Sequence, residues 1–196
     1  MKTETLNILN VFKRIPTLFT ERLILRRIER RDIDDIFDYA SNPETSKYLL
    51  WYPHNTKFDT KVYFNAVDKR YKLGKFYDWA VVDKTSGKMI GTCGFTSITP
   101  EDEKAEIGYV INPSYKGRGI ATEAVKRVLR FGFDELLLER IEARYIIGND
   151  ASLRVMQKCG MRFEGTQRHG VKCKGRFADV GICAITSGDF ITKRQF

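Results

Sequence analysis

The sequence contains no apolar run approaching the ~20 residues that a membrane-spanning helix needs. Its first residues, Met1-Lys2-Thr3-Glu4-Thr5, have neither the basic start nor the apolar stretch of a secretory signal, so a cytoplasmic location without membrane partners is expected. Soft metal ligands are scarce. Cys93, Cys159, Cys173 and Cys183 are scattered without a Cys-x-x-Cys pair, and only His54 and His169 could join them. This is not a zinc pattern, and no metal is expected; the cysteines read as free, partly buried thiols, with no neighbouring histidine to support a nucleophile. Internal repeats and low-complexity segments are absent as well.

What is present suits one packed domain over residues 1–196, with residues 1–17 as an N-terminal extension: 42% of the chain is hydrophobic. Lys and Arg total 34 against 25 acidic residues, a net charge of +9 spread along the chain. A solvated basic surface and an anionic cofactor or partner both account for that, and the charge does not choose between them. No RNA-binding aromatic motif or helix-turn-helix signature appears, so direct nucleic-acid binding is not expected.

The most informative stretch is residues 105–124, AEIGYVINPSYKGRGIATEA. Residues 105–111 are apolar and β-rich, with Pro113 to stop a strand. From Ala121 onward, Val125, Val128, Leu129 and Gly132 fall at helical spacing, with Thr122, Lys126 and Arg130 opposite. Between strand and helix, Gly117 and Gly119 allow a sharp turn whose bare N–H groups, at a helix N-terminus, suit a phosphate. A P-loop would need Gly-Lys-Ser/Thr where Gly119-Ile120-Ala121 stands, and the dinucleotide fingerprint needs a small residue where Thr122 stands. The pattern Gly-x-Gly-Ile-Ala-Thr-Glu-Ala after Glu-Ile-Gly-Tyr instead resembles the pyrophosphate loop of the GNAT N-acetyltransferases, which bind acetyl-CoA. Thr20-Glu21-Arg22-Leu23-x-Leu25-Arg26 further resembles the opening of the branch containing the ribosomal-protein alanine N-acetyltransferases.

Along the chain, residues 19–28 read as a first strand and 32–40 as a helix ending near Asn42-Pro43. Residues 48–54 form an aromatic loop. A helix capped by Asp59 or Thr60 runs to Gly74. Strands follow at 76–82 and 88–98, then the central strand and a helix to about Leu137, a strand at 141–147, and a helix from Asn149 to Gly160. Strands at 162–166 and 177–185 close the order, separated by a polar stretch over 169–175. This α+β order matches the three-layer α/β/α GNAT arrangement. The resemblance implies a mixed, mostly antiparallel sheet of about seven strands, with about four helices and a splayed parallel pair that admits the cofactor's pantetheine arm. It also leaves room for a homodimer.

Acetyl transfer to an amine needs a base for the amine proton, a donor for the developing oxyanion and a proton for the leaving thiolate. Glu106, at the start of the central strand, is the candidate base, with a surface salt bridge as its competing role. The N–H of Tyr109 or Val110 is the candidate oxyanion donor. The resemblance places acetyl-CoA against Tyr109, Val110 and Ile111, against the turn formed by Tyr115, Lys116, Gly117, Arg118, Gly119, Ile120, Ala121 and Thr122, and against Asn149 and Ser152. It places the amine acceptor near Trp51, Tyr52 and His54.

Three positions depart from the commoner family pattern. Met156 stands where many relatives have a tyrosine acid, Met161 replaces a phenylalanine, and Ser114 replaces a Gln or Arg, leaving Lys116 or Arg118 as the charged phosphate contact. Methionine gives no proton, so the thiolate is served by Ser152, by water, or leaves unaided; Asn149 and Ser152 also read as helix caps. The leading expectation is an acetyl-CoA-dependent N-acetyltransferase acting on a protein N-terminus of the ribosomal-protein type. A small amine (polyamine, amino acid or aminoglycoside) is the alternative acceptor, and a non-catalytic acyl-CoA or nucleic-acid-binding module ranks third.

Overall fold

A computed structural model describes residues 10–192. One eight-stranded sheet runs through it in the order β1-β2-β3-β4-β5-β6-β8-β7. Its strands are β1 (Leu18–Phe19), β2 (Leu23–Arg26), β3 (Tyr77–Asp83), β4 (Met89–Thr99), β5 (Lys104–Ile111), β6 (Arg140–Ile146), β7 (Arg162–Cys173) and β8 (Arg176–Thr186). Every pairing is antiparallel except β5–β6. The helices longer than one 3-10 turn are α1 (Ile33–Ala40), α2 (Pro43–Ser46), α3 (Lys57–Lys72), α4 (Ile120–Asp134), α5 (Asp150–Lys158) and α6 (Ser187–Thr192), with a further helical turn over residues 10–13.

The two sheet faces carry different chemistry. On one, Trp79 and Phe95 from the strands meet Phe131 of α4 and Phe12 in edge-to-face contacts. Trp79 is fully buried, and its indole N–H donates to the Pro16 carbonyl at 2.7 Å. Residues 10–17 are therefore tied into the core, while residues 1–9 of the expected extension lie outside the described region. The opposite face is covered by α1 and α3 through Ile36, Tyr39, Val67 and Tyr71. There the Tyr71 hydroxyl donates to the Asp78 carbonyl at 2.7 Å and accepts from the Ile28 N–H at 3.2 Å.

Several element boundaries differ from expectation, each for a local reason. The first strand is broken between Phe19 and Leu23, where the Thr20 N–H and hydroxyl turn back onto the Leu23 carbonyl. Asn42-Pro43 starts α2 as well as ending α1: Asn42 caps, and Pro43 fits the first turn, where its missing N–H costs nothing. Thr56, not Asp59 or Thr60, caps α3, in a capping box with Asp59. α4 stops at Asp134, three residues before Leu137, which adopts positive φ. The polar stretch over 169–175 mostly belongs to a long β7–β8 hairpin; β7 is an exposed edge strand, so it shows no apolar alternation to read.

Candidate active site: the gap between β5 and β6

β5 and β6 pair over only four residues, from Lys104↔Arg140 to Ile107↔Ala143. β5 continues to Ile111 against β4, and β6 continues to Ile146 against β8. The two strands thus separate beyond Ile107. The Asn112 N–H bonds the Ile90 carbonyl on β4. By the alternation of an antiparallel ladder, Val110 and Gly108 also bond toward β4, and the N–H groups of Tyr109 and Ile111 face the gap. Of the two expected oxyanion donors, Tyr109 has the appropriate direction.

The gap opens into a cleft of about 700 Å³. Tyr109, Val110, Ile111, Tyr115, Lys116, Gly117, Gly119, Ile120, Ala121, Thr122, Asn149 and Ser152 all line it. Arg118 does not line it; its guanidinium lies over the Tyr115 ring. Gly117 and Gly119 both have φ of +76°, a conformation that side chains oppose. Gly119 is the N-cap of α4 and carries no side-chain cap, so the helix presents its first-turn N–H groups to the cleft. Phosphate oxygens suit such donors.

The turn is braced from a distance. Glu123, in the first turn of α4, accepts from the Thr20 hydroxyl at 2.6 Å, the Arg22 N–H at 2.9 Å and Arg22 Nε at 2.7 Å. Arg22 also donates to the Arg118 carbonyl at 2.8 Å. Burial raises the Glu123 carboxyl, but the bonds from Thr20 and Arg22 outweigh it and hold the group below the usual range. The Thr20-Glu21-Arg22 motif is thus a clamp on the glycine turn. Lys116, expected as a phosphate contact, pairs with Glu44 of α2 across the cleft mouth.

On the α5 side, Asn149 caps the helix through the Ser152 N–H, so Asn149 is the cap and Ser152 sits in the first turn. The Tyr109 phenol donates to the Ser152 carbonyl at 3.0 Å and lies 2.8 Å from the Ser152 hydroxyl. Burial pushes the phenol well above its usual range, against the opposing effect of the Ser152 bond, so Tyr109 keeps its proton. A phenol has one proton; when it goes to the carbonyl, the Ser152 hydroxyl donates to the phenol oxygen. Met156 is buried and packs in the core.

None of the expected base and acceptor residues lines the cleft. Glu106 accepts from the Thr96 hydroxyl at 3.1 Å and pairs with Arg144 Nε at 3.4 Å. Thr96 is the extra residue of a β-bulge on β4 opposite Ile107 and Glu106, a feature no sequence pattern announced. Trp51 and Tyr63 flank His54, whose Nδ1 is 2.8 Å from the Thr60 hydroxyl. Tyr52 is exposed, with the Lys174 ammonium over its ring.

Residues 22–162 match the GNAT acetyltransferase domain model. The chain belongs to the GNAT acetyltransferase family. An uncharacterised N-acetyltransferase of Bacillus licheniformis, p20, is 33% identical over 174 residues, covering 89% of this chain and 98% of p20. The ribosomal protein uS5-alanine N-acetyltransferase of Escherichia coli is 24% identical over 184 residues, covering 90% and 94%. A GNAT-family acetyltransferase structure from Bacillus anthracis superposes with a TM-score of 0.78 at 31% identity, covering 88% of this chain and 99% of that one. The GNAT sheet was expected with about seven strands and has eight; its single parallel pair is the splayed one. Among the described residues no group of acidic, histidine or cysteine side chains could hold a metal, and no helix is long and apolar enough to cross a membrane.

Proposed function

We propose that this GNAT enzyme transfers the acetyl group of acetyl-CoA directly to a primary amine, and that its acceptor is a protein N-terminus of the ribosomal-protein type. The observation that carries the cofactor assignment is the open edge of β5 leading to the uncapped glycine turn. A pantetheine arm offers amides to the free N–H and C=O groups of such an edge, and the turn suits its pyrophosphate. The acceptor assignment is supported by the near full-length likeness to the uS5-alanine enzyme.

Acetyl-CoA supplies an activated acyl group, and the chain supplies proton handling and charge stabilisation. As the nitrogen–carbon bond forms, the amine proton goes to Glu106, directly or through water. The N–H of Tyr109 stabilises the charge gathering on the carbonyl oxygen. The carbon–sulfur bond breaks, and the thiolate leaves with a hydrogen bond from the Ser152 hydroxyl, which turns to it from the Tyr109 phenol oxygen, and then takes its proton from water. Mass spectrometry of ribosomal proteins incubated with enzyme and acetyl-CoA tests this reading. An added acetyl group confined to protein N-termini is expected; free CoA release with small amines alone would assign the acceptor to that class instead.

A further inference from the structure

The β7–β8 hairpin carries a charge that nothing around it balances. Residues 165–178 hold no acidic side chain, whereas Arg168, Lys172, Lys174 and Arg176 are cations. The flanking acids are engaged: Glu164 accepts from Arg140 at 2.9 Å, and Asp179 accepts from the His169 N–H at 2.8 Å. Among the described residues none of the four cations makes an ion pair. Lys174 anchors the hairpin tip instead. Its ammonium donates to the Ser46 carbonyl at 2.6 Å and lies 5.7 Å from the centre of the Tyr52 ring. Beside it the Cys173 thiol donates to the Leu49 carbonyl at 3.4 Å. Arg168, Lys172 and Arg176 remain exposed. Two rings stand among them. His169, at positive φ where the register breaks between Gln167 and Val171, stacks on Phe177 with centroids 5.7 Å apart and planes at 27°. Lys172 pairs with Phe177 across the ladder, its ammonium 5.9 Å from that ring's centre. Phe177 is 63% exposed, so this stack faces solvent.

We propose that this hairpin is a docking surface for single-stranded RNA, with Arg168, Lys172 and Arg176 on phosphates and a base continuing the His169–Phe177 stack. The proposal goes beyond the acetyl-transfer reading and does not depend on it. It also departs from the sequence expectation. The sequence shows a polar stretch here without an RNA-binding motif; the fold adds the exposed ring stack and the register that sets Lys172 beside it. Three kinds of occupant would meet this surface differently. A second copy pairing along the exposed β7 edge would bring the unbalanced cations against their own counterparts, which is how edge strands resist self-association. An acidic peptide matches the charge but leaves the stacked rings without a partner. RNA matches both: its backbone takes the cations, and the unpaired bases of its loops and ends stack on aromatic side chains. Duplex DNA keeps its bases stacked on one another, away from a flat pair of rings.

Fluorescence anisotropy with a labelled single-stranded RNA of about twelve nucleotides tests this on the full chain. The comparators are an abasic strand of the same length and a polyglutamate peptide of similar charge. Three phosphate contacts on a single strand give a slope of about −2 for log affinity against log salt. The RNA should bind ~10-fold more tightly than the abasic strand, the scale of one stacked base. Phe177→Ala should remove that preference and leave the slope alone. Lys172→Gln combined with Arg176→Gln should reduce the slope to about −0.7, the share of Arg168. All three side chains are exposed, so melting temperature and CoA affinity should not change. Polyglutamate binding as tightly as RNA would reassign the surface to an acidic protein and overturn the proposal. So would an absence of RNA binding at low salt, an abasic strand bound equally well, or binding that neither variant alters. Ultraviolet crosslinking of RNA to the parent gives a measurement without a variant. The label should fall on the peptide holding His169 and Phe177, and a label confined to other peptides also overturns the proposal. Turnover with acetyl-CoA is read separately, so failure of either reading leaves the other standing.

Discussion

Glu106 stands in two relationships at once, accepting from Thr96 and paired with Arg144. Its side chain is about a quarter exposed (28%), so the ion pair is only partly screened by water. If Glu106 is the base, Glu106→Gln should lower kcat by ~10²-fold or more with acetyl-CoA affinity nearly unchanged. Arg144→Ala discriminates between the two roles: it should leave kcat within a few-fold if Glu106 works as a base, and should copy Glu106→Gln if the ion pair is what matters. Steady-state kinetics on both variants decides. The thiolate side has a similar pair of tests. Met156 packs in the core, so Met156→Phe should keep turnover within about tenfold and cost ~1–3 kcal/mol of stability by overfilling the site. Ser152→Ala should cost more in kcat than in melting temperature, because Asn149, not Ser152, caps α5. A Ser152→Ala enzyme that turns over like its parent would show that the thiolate leaves unaided.

Among the elements, the glycine turn and its clamp carry the next expectation. Glu123→Gln removes the charge that holds Thr20 and Arg22, about a hundred residues away in sequence, against the start of α4. CoA affinity should fall by about an order of magnitude, measured by calorimetry, with the fold retained. Gly119→Asp, which adds both bulk at positive φ and a negative charge, should abolish CoA binding. Unchanged affinity in a folded Gly119→Asp variant would remove this turn from the site. The contrast between turn and clamp shows what sequence can reveal. Strand, turn and helix are contiguous over residues 105–124, so their periodicities and glycines could be read directly. Glu123 and its partners are joined only by tertiary packing, which no local pattern encodes. The same reasoning covers Thr96: a bulge is a mismatch between two strands, and one strand's sequence does not contain it. Asn42-Pro43 was ambiguous for another reason, since the same pair serves as helix stop and helix start.

For the whole molecule, Asp78 leaves a signature in stability against pH. Burial pushes its carboxyl up to about 7 when folded, against an ordinary value of 3.8, so between these the folded protein holds more protons than the unfolded chain. Its contribution to stability therefore falls as pH rises from about 4 to about 7. His54, lowered chiefly by burial, acts in the opposite direction near its own range, so the parent's curve alone is not diagnostic. The difference between Asp78→Asn and parent isolates this contribution: the variant's relative melting temperature should climb between about pH 4 and pH 7. A flat difference would mean that Asp78 is ionised throughout.

The brief pairing of β5 with β6 has a bearing on chain-length changes within the sheet. It behaves like a zip fastened only at its lower end, with Ile107 and Ala143 as the last closed teeth. Anything threaded between the open halves travels until it meets that stop, so its depth is measured by the register of two strands and not by any one side chain. Glu106 is the tooth just below the stop on the same strand. Inserting a residue into β5 below the stop would shift the register against β6 and turn Glu106 to the other face in a single step. Loops at the sheet's rim tolerate lengthening, whereas these four rungs set how deep the gap runs.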